Sequence, residues 1–320
     1  GVDQMTWEIT GTRAPAKERI LAVRQTEKSI TVTLPRGEVC IDRGLGCIVG
    51  IQRDGVALLS SPVLPTVWRA PTDNDRNIRR EWERAGYSHA GTECYGCRIV
   101  REEQNVVVVE SEIALGIPAL CPILRAMVQY RLEGNGSVTM SWQVRVREGQ
   151  PPLPRFGVEF RMPEGMESLH YYGRGPRESY RDKRCASWEG EFASTVTEHF
   201  EHYIRPQENM AHTDTVWMRV EHAGGGGLAA VRCGDRFSFN CSHYTPQMLT
   251  QTPHDSDLRP LSETVVNLDV CQAGIGSNSC GPVLREDLQM RETEFDFRIR
   301  LLPFSSGEVD FYRESRPEEK

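Results

Sequence analysis

Hydrophobic and polar residues alternate with a period of two along most of this chain, which is the pattern of β-strands with one buried face. In the segment SITVTL, the apolar side chains of Ile30, Val32 and Leu34 fall on one face and the threonines on the other. The segment VQYRLEGNGSVTMSWQVRV predicts two strands joined at Asn135 and Gly136, a pair that favours a hairpin turn. Similar alternation predicts strands in FSFNCS, VVNLDV and EFDFRIRL.

Strict alternation gives each sheet one buried face and one face toward water. In VVNLDV, for example, Val266, Leu268 and Val270 are predicted to face the core and the polar residues between them to face solvent. This pattern favours antiparallel sheets packed as a sandwich over a parallel α/β sheet. The number of strands predicts one large all-β sandwich, larger than an immunoglobulin-type domain.

One segment has a helical pattern instead. Ile78, Trp82 and Ala85 lie at positions i, i+4 and i+7, and Gly86 is placed to end the helix. We therefore expect one or two short helices beside the sheets.

Composition narrows the possible partners. A hydrophobic share of 38% and a charged share of 26% are typical of a globular protein. The net charge of −7 and the lack of a basic block argue against nucleic acid as the main partner. No stretch approaches the roughly 18 apolar residues of a membrane span, so no membrane contact is predicted.

The N-terminus and the cysteines indicate the cellular compartment of the protein. The N-terminus has neither the basic start nor the apolar run of a signal peptide. Ten cysteines spread through a long chain favour free thiols in a reducing compartment, so we predict a cytoplasmic location. A start at Gly1 without an initiator methionine indicates a piece of a longer chain.

Four polar segments interrupt the strand pattern where strands should end, and we call them bends 1 to 4. They combine Arg, Asp, Glu, Asn and Gln with nearby aromatic residues, which suits a sugar site because hydroxyls need paired donors and acceptors. The same residues could instead form a buried polar network that fixes loops, or caps and turns. The bends are RAPTDND (69–75), GRGPRESYRD (173–182), HYIRPQENMAHTD (202–214) and GIGSNSCGP (274–282).

Catalytic and metal-binding patterns are weak. Asp73 with Asp75, and Glu178 with Asp182, are available carboxylate pairs, but the sequence fixes no distance between them and so assigns no catalytic role. The CYGC segment (94–97) has no second cysteine pair, and the histidines of HFEH (199–202) would lie on opposite faces of a strand. We predict no metal site in this chain.

Together, the segments TVWRAPTDND, YYGRGPRESYRDK, YIRPQEN and AGIGSNSCGP resemble the C-terminal β-sandwich, or small-chain, region of the large β-galactosidases of glycoside hydrolase family 2. The segments SHYTPQML and TPHDSDL also resemble that region, and the likeness covers about residues 26–305. It implies an antiparallel supersandwich like that of galactose mutarotases. In the family this region follows a (β/α)8 barrel and an immunoglobulin-like domain.

The resemblance also implies domain limits and a function. Residues 1–24 would be the end of the preceding linker domain, 25–305 the supersandwich and 306–320 a tail that we expect to be frayed. Family members hydrolyse terminal β-D-galactosides with retention, using two glutamates of the barrel, so this chain is predicted to hold no catalytic residue and to be inactive alone. The implied partners are galactosides and the rest of a β-galactosidase chain, with a homo-oligomer possible for the full-length form. Family enzymes use Mg²⁺ and often Na⁺, mostly bound by the barrel, so we expect no cofactor in this chain.

The family pattern assigns roles to residues of the bends. Bend 4 approaches the sugar in the family, and Cys280 stands where many relatives carry a stacking Trp, while Met210 stands where relatives have Gly. Arg205 is expected to pair with an acid such as Glu178 or Asp182. The predicted substrate-binding residues are Asn278, Ser279, Cys280, Asp73 and Asn74. The predicted structural network beside them comprises Arg69, Asp75, Arg174, Glu178, Tyr180, Asp182, Arg205, Gln207, Glu208 and Asn209.

Two other functions remain open at this point. The chain could be a free-standing carbohydrate-binding module whose polar face binds galactosides unaided. It could also be an epimerase like the mutarotases, with His243 or His254 as the acid and Glu178 as the base.

Overall fold

A computed structural model describes residues 22–307 and 309–316, and within these ranges the chain forms nineteen strands in three antiparallel sheets. In chain order the strands are β1 Ala22–Gln25, β2 Ser29–Leu34, β3 Gly37–Asp42, β4 Cys47–Arg53, β5 Val56–Ala57, β6 Leu64–Thr66, β7 Gly91–Glu103, β8 Val106–Gly116, β9 Leu124–Glu133, β10 Val138–Val146, β11 Arg155–Met162, β12 Met166–Gly175, β13 Trp188–Thr195, β14 His212–Thr215, β15 Trp217–His222, β16 Gly227–Arg232, β17 Phe237–Ser242, β18 Thr264–Gln272 and β19 Glu294–Phe304. The helices are α1 Ile78–Arg84, α2 Pro246–Gln251 and α3 Phe311–Glu314.

The three sheets divide into one large sheet and two small ones. The large sheet has the order β13-β12-β15-β16-β19-β10-β9-β8-β7. The first small sheet is the meander β1 to β5, and the second has the order β14-β17-β18-β11-β6. The all-β antiparallel supersandwich expected from the sequence is therefore confirmed.

The hairpin of β9 and β10 forms in the predicted register. Met140 lies opposite Tyr130 and Trp142 opposite Val128, and all four side chains are buried. Gly136 in the connecting turn has φ of +89°, a conformation that costs glycine little because it has no Cβ. Period-two alternation thus fixed which face of this hairpin enters the core.

Both small sheets pack on one face of the large sheet and share one continuous core. On the first small sheet, the carbonyl of Gly46 accepts a 2.9 Å hydrogen bond from the hydroxyl of Tyr130 in the large sheet. On the second small sheet, the ring of Phe156 packs edge-on against Trp142 of the large sheet at a centroid distance of 6.1 Å. One large core of this kind explains why the alternation runs through nearly every strand.

The second small sheet departs from the predicted pattern, because its outer face is covered rather than wet. In β18, Asn267 and Asp269 are buried on the side away from the core, while Val270 is only half-buried. The polar bends lie over this outer face and exclude water from it, as the contacts below show. Alternation therefore identified the core side of β18 correctly but not the burial of its polar side.

The helices and the C-terminus also differ in part from expectation. Helix α1 ends before Gly86, which has φ of +82°, as the pattern predicts, but there are three short α-helices in the described residues rather than one or two. The expectation of a frayed tail is wrong for residues 309–316, since Phe311 is buried and its ring packs against that of Trp217 at a centroid distance of 5.4 Å. Strand β1 already begins at Ala22, three residues before the predicted domain limit, and residues 1–21 lie outside the described ranges.

Candidate functional site

The four bends meet on the outer face of the second small sheet. Bends 1 and 3 are joined by two hydrogen bonds to or from backbone atoms. The backbone N–H of Asp73 donates to the side-chain oxygen of Gln207 at 3.2 Å, and the N–H of Glu208 donates to the carbonyl of Ala70 at 3.1 Å. These contacts link segments about 130 residues apart in the chain.

Bend 4 is held by side chains from bends 1 and 2. The side-chain amide of Asn74 donates to the carbonyl of Gly276 at 2.8 Å and accepts from the N–H of Ser279 at 3.1 Å. The carboxylate of Asp182 accepts from the backbone N–H groups of Ile275 and Gly276 at 2.9 and 2.7 Å. The conformation of bend 4 therefore depends on residues more than 90 positions away.

Bends 2 and 3 are joined through Glu178. Its carboxylate accepts hydrogen bonds from the hydroxyl of Tyr203 at 3.0 Å and from the backbone N–H of Met210 at 2.9 Å. Lys183 pairs with the same carboxylate. These partners all donate to the Glu178 carboxylate, and Tyr203 and Met210 belong to bend 3. Glu178 therefore acts as a structural link between bends 2 and 3.

Two buried ion pairs lie beneath the bends. The guanidinium of Arg69 contacts the Asp75 carboxylate at 2.9 Å and also donates to the carbonyl of Ala273 at 2.7 Å. Arg155 of β11 binds Asp269 of β18 with both ends of its guanidinium, at 2.9 and 2.5 Å. All four charged side chains are nearly or fully buried, so each charge requires its partner.

Glu208 is a buried acid without a full complement of partners. Its carboxylate lies 3.8 Å from the guanidinium of Arg155, which is already paired with Asp269. Burial raises the pKa of Glu208 to about 7; the nearby Arg155 and Arg69 lower it only in part, and the charges of Asp269 and Glu178 oppose them. The pKa of this buried acid, whose backbone N–H binds bend 1 at Ala70, therefore lies close to neutral pH.

Local sequence explains the shape of bend 1. Thr72 precedes a short 3₁₀ helix, and its N–H and hydroxyl both donate to the carboxylate of Asp75, at 2.9 and 3.1 Å. Asp75 thus closes a helix cap and neutralises Arg69 at the same time. The cap interpretation of this segment is correct for Asp75, while Asp73 is exposed.

Bend 3 contains a backbone conformation that favours glycine. Met210 has φ of +52°, in the left-handed region, where an unbranched but non-glycine residue is strained. This explains why glycine suits this position. The neighbouring Asn209 accepts from the N–H of Glu201 and donates to the carbonyl of Gln207, so its side chain shapes the bend itself.

Of the remaining residues of the predicted network, Arg205 differs from its predicted pairing. Tyr180 is fully buried, and Arg174 binds Asp214 at 3.1 Å. The predicted pairing of Arg205 with Glu178 or Asp182 is wrong: Arg205 is exposed, and the two acids bind Lys183 with Tyr203 and the backbone of bend 4, respectively.

The histidines and the glutamate that an epimerase would need have other surroundings in this fold. His243 lies 3.0 Å from Glu167 and 2.9 Å from the carbonyl of Glu263. His254 is the residue that precedes a 3₁₀ helix at Asp255. Within residues 22–307 and 309–316, no hydrogen bond joins either histidine to Glu178.

The predicted sugar-contacting residues lie together at one edge of the cluster. Asn278 and Ser279 are half-exposed and Cys280 and Asp73 are exposed, whereas the amide of Asn74 is already bound to bend 4. Sugar contact by these residues stays a prediction, but their proximity is a feature of the fold.

The cleft at this edge is small. The cleft beside Asn74 and Asn278 has a volume of about 60 Å³, far below the several hundred Å³ of ordinary ligand pockets. A larger cavity, about 410 Å³, lies between the turns at Arg36 and Gly136 and the C-terminal segment, and no bend lines it. A sugar bound at bend 4 would need a second wall from elsewhere.

Sequence reasoning missed the residues beneath the bends. Asp269 lies in β18 at a position that the alternation assigned to solvent, and Arg155, at the start of β11, was in no segment that the sequence singled out. The one sequence feature that marks this pair is Gly157 in β11. A Cβ at this position would come within 2.3 Å of the Asp269 carboxylate, so the strand needs glycine where the buried acid approaches it.

Neither a metal cluster nor a membrane helix is found in the described part of the chain. Among these residues, no three His, Cys, Asp or Glu side chains converge where a metal ion could bind. No described helix is long and apolar enough to cross a membrane.

Comparison with known proteins finds one consistent match. The family described as "Beta galactosidase small chain" matches residues 35–301. A β-galactosidase of Staphylococcus xylosus is 33% identical over 94% of this chain and 31% of its own length, and one of Actinobacillus pleuropneumoniae is 33% identical over 82% and 25%. The chain thus spans about a third or less of the length of these relatives. A solved putative aldose 1-epimerase of Escherichia coli K12 is similar over 89% of this chain and 99% of its own, with 11% identity and a TM-score of 0.45.

Proposed function

Because this chain belongs to the β-galactosidase small-chain family, we propose that it is the C-terminal region of a retaining β-galactosidase and forms one wall of the active site. The two catalytic glutamates lie in a barrel domain outside this sequence. The isolated chain is inactive, and it acts by completing the pocket in which a terminal β-D-galactoside binds.

The observation that carries the proposal is the meeting of all four bends on one face. Asp73 contacts Gln207, Asn74 contacts Ser279, and Asp182 contacts Gly276, so segments from across the chain build a single polar surface. Its exposed edge carries an amide, a hydroxyl and a thiol from residues 278–280. Such groups suit the hydroxyls of a sugar.

The small volume of the cleft at this edge supports a shared active site over an independent binding module. A cleft of about 60 Å³ buries little of a sugar ring, and affinity requires most of a small ligand's surface to be covered. The rest of the enzyme would supply the opposing wall, the catalytic acids and the ligands for Mg²⁺ and Na⁺. We place the whole enzyme in the cytoplasm, where the ten free thiols stay reduced.

A chimera tests the proposal. The matching C-terminal part of the Staphylococcus xylosus β-galactosidase is replaced by this chain, and hydrolysis of a chromogenic β-galactoside is measured. We expect the chimera to hydrolyse the substrate, the truncated relative without a C-terminal part to lose activity, and the isolated chain to show none. Hydrolysis by the isolated chain, or a folded but inactive chimera, would contradict the proposal.

Calorimetry with the isolated chain tests the rival binding function. Titration with galactose or lactose should release no heat at concentrations up to tens of millimolar. A dissociation constant below about 1 mM would instead favour a free-standing binding module with a pre-formed pocket.

A further inference from the structure

We propose that Asp182 and Asn74 are positioning residues, which set the conformation of bend 4 and through it the affinity of the active site for a galactoside. The inference rests on the proposed function, because it gives bend 4 a substrate-facing role. It also changes the role of Asn74, which the sequence placed among the sugar-binding residues.

Asp182 holds the first half of bend 4 through two adjacent backbone amides. Its two carboxylate oxygens accept separately from Ile275 and Gly276, at 2.9 and 2.7 Å. A Cβ added at Gly274 would lie 2.8 to 2.9 Å from three atoms of this carboxylate, closer than side chains pack. Glycine at 274 therefore permits the approach that the two hydrogen bonds require.

Asn74 holds the second half of the same bend. Its amide nitrogen donates to the carbonyl of Gly276 and its amide oxygen accepts from the N–H of Ser279. Both ends of the amide thus already have partners in bend 4. Asn74 acts through the bend, and a direct sugar contact is not needed to explain its place.

The base and tip of bend 4 are fixed in complementary ways. The buried guanidinium of Arg69 donates to the carbonyls of Ala273 and Gly274 at 2.7 and 3.1 Å. At the tip, the N–H of Gly281 donates to the carbonyl of Ser277 at 2.7 Å, which closes a tight turn. Arg69 thus binds carbonyl groups at the base of bend 4, and Asp182 binds N–H groups there. The side chains of residues 278–280 belong to the turn that this base supports.

This arrangement has a consequence for substrate binding. A loop that is already in its binding conformation does not lose conformational entropy when the ligand arrives. Loosening bend 4 should therefore weaken substrate binding more than it slows the chemical step, since the catalytic glutamates lie elsewhere. The expected signature is a raised KM with kcat little changed.

Amide hydrogen exchange on the 320-residue chain tests the structural part. Asp182 is exposed, so Asp182→Ala should leave the fold intact. We expect exchange at the amides of Ile275 and Gly276 to become about tenfold faster or more, since two charge-assisted hydrogen bonds are lost. Asp182→Asn keeps one acceptor oxygen, so its exchange rate at these two amides should lie between those of the unsubstituted chain and Asp182→Ala. The matched control is Asp296→Ala, an exposed acid of β19, which should not change exchange at these amides.

Kinetics of the chimera test the functional part. Asp182→Ala and Asn74→Ala should each raise KM about five- to tenfold with kcat within about twofold, and Asp182→Asn should restore part of the loss. The double variant should raise KM by less than the product of the two single effects, because both residues act through one bend.

The outcomes separate the two proposals. An unsubstituted chimera without activity would overturn the proposed function and this inference with it. An active chimera in which Asp182→Ala speeds amide exchange but leaves KM unchanged would overturn the inference alone. Multiplicative effects in the double variant would also overturn it, because they would mean that Asn74 contacts the sugar independently of bend 4.

Discussion

Arg69 and Asp75, six residues apart in the chain, form an ion pair of 2.9 Å whose side chains are 0% and 6% exposed. The same carboxylate caps the short helix at bend 1, and the same guanidinium binds the carbonyls that begin bend 4. One pair therefore connects the entry of helix α1 with the loop that faces the proposed sugar. Its integrity decides whether the bends form a single unit.

Replacing Asp75 with Asn should be strongly destabilising. The change leaves Arg69 buried without an opposing charge, which typically costs about 3–5 kcal/mol in the free energy of unfolding. Urea unfolding measures this cost. The matched control is Asp73→Asn, the same chemical change at an exposed position two residues earlier, which should shift stability by less than about 0.5 kcal/mol. Equal effects of the two substitutions would show that the pair is not essential.

Replacing Met210 with Gly should stabilise the protein. The left-handed conformation at φ of +52° costs a non-glycine residue about 1–2 kcal/mol, and the greater freedom of glycine in the unfolded chain offsets part of the gain. We expect a net increase of about 0.5–1 kcal/mol in the free energy of unfolding. Met210→Ala, which shortens the side chain but keeps the strain, should give no increase. A gain with Ala as large as that with Gly would assign the effect to the side chain.

Acid should destabilise the protein through two buried imidazoles. Burial lowers the pKa of His212 to about 4 and that of His199 well below its usual value, with the neighbouring His212 adding to the effect. An unfolded histidine binds a proton near pH 6.5, so the stability is complete above that pH and is lost as pH falls toward 4.

His212→Gln tests this account because it removes one of the two titrating groups. The slope of the unfolding free energy against pH, between about pH 6 and pH 4.5, should become shallower by about 1.4 kcal/mol per pH unit. Urea unfolding at several pH values gives the slope. An unchanged slope would mean that His212 is already protonated in the folded protein.

Glu208 should have the opposite pH dependence. Its folded pKa of about 7 lies above the ordinary value of a glutamate, so its contribution to stability is present at low pH and is lost as pH rises through 7. Glu208→Gln removes that loss. Relative to the unsubstituted protein, this variant should gain about 2–3 kcal/mol of stability between about pH 5 and pH 8. A constant difference across this range would contradict burial of a titrating acid.

The sequence predicted the fold correctly where a local pattern of residues has a single structural meaning. Period-two alternation identified the strands and the core faces, as at Met140 and Trp142, and Gly86 marked the end of α1. The spacing of the bends pointed to the family, and the bends do meet on one face.

Pairings across the fold could not be predicted in the same way. Arg205 was expected to bind an acid, yet Lys183 and Tyr203 occupy Glu178 instead, because several cations and hydroxyls are near enough in sequence to compete. The burial of Asp269 depends on a cover supplied by distant bends, and no local pattern encodes that cover. Asn74 and Asp182 lie in recognisable motifs, but only the fold shows that both act on bend 4.

The most direct test of the account is a crystal structure of the chimera with galactose bound. We predict that residues 278–280 lie at the sugar, with at least one polar atom of Asn278 or Ser279 about 3 Å from a hydroxyl oxygen. The four bends should form the wall on that side of the pocket. A structure in which the sugar binds beside the barrel glutamates while bend 4 faces solvent on another surface would contradict the account.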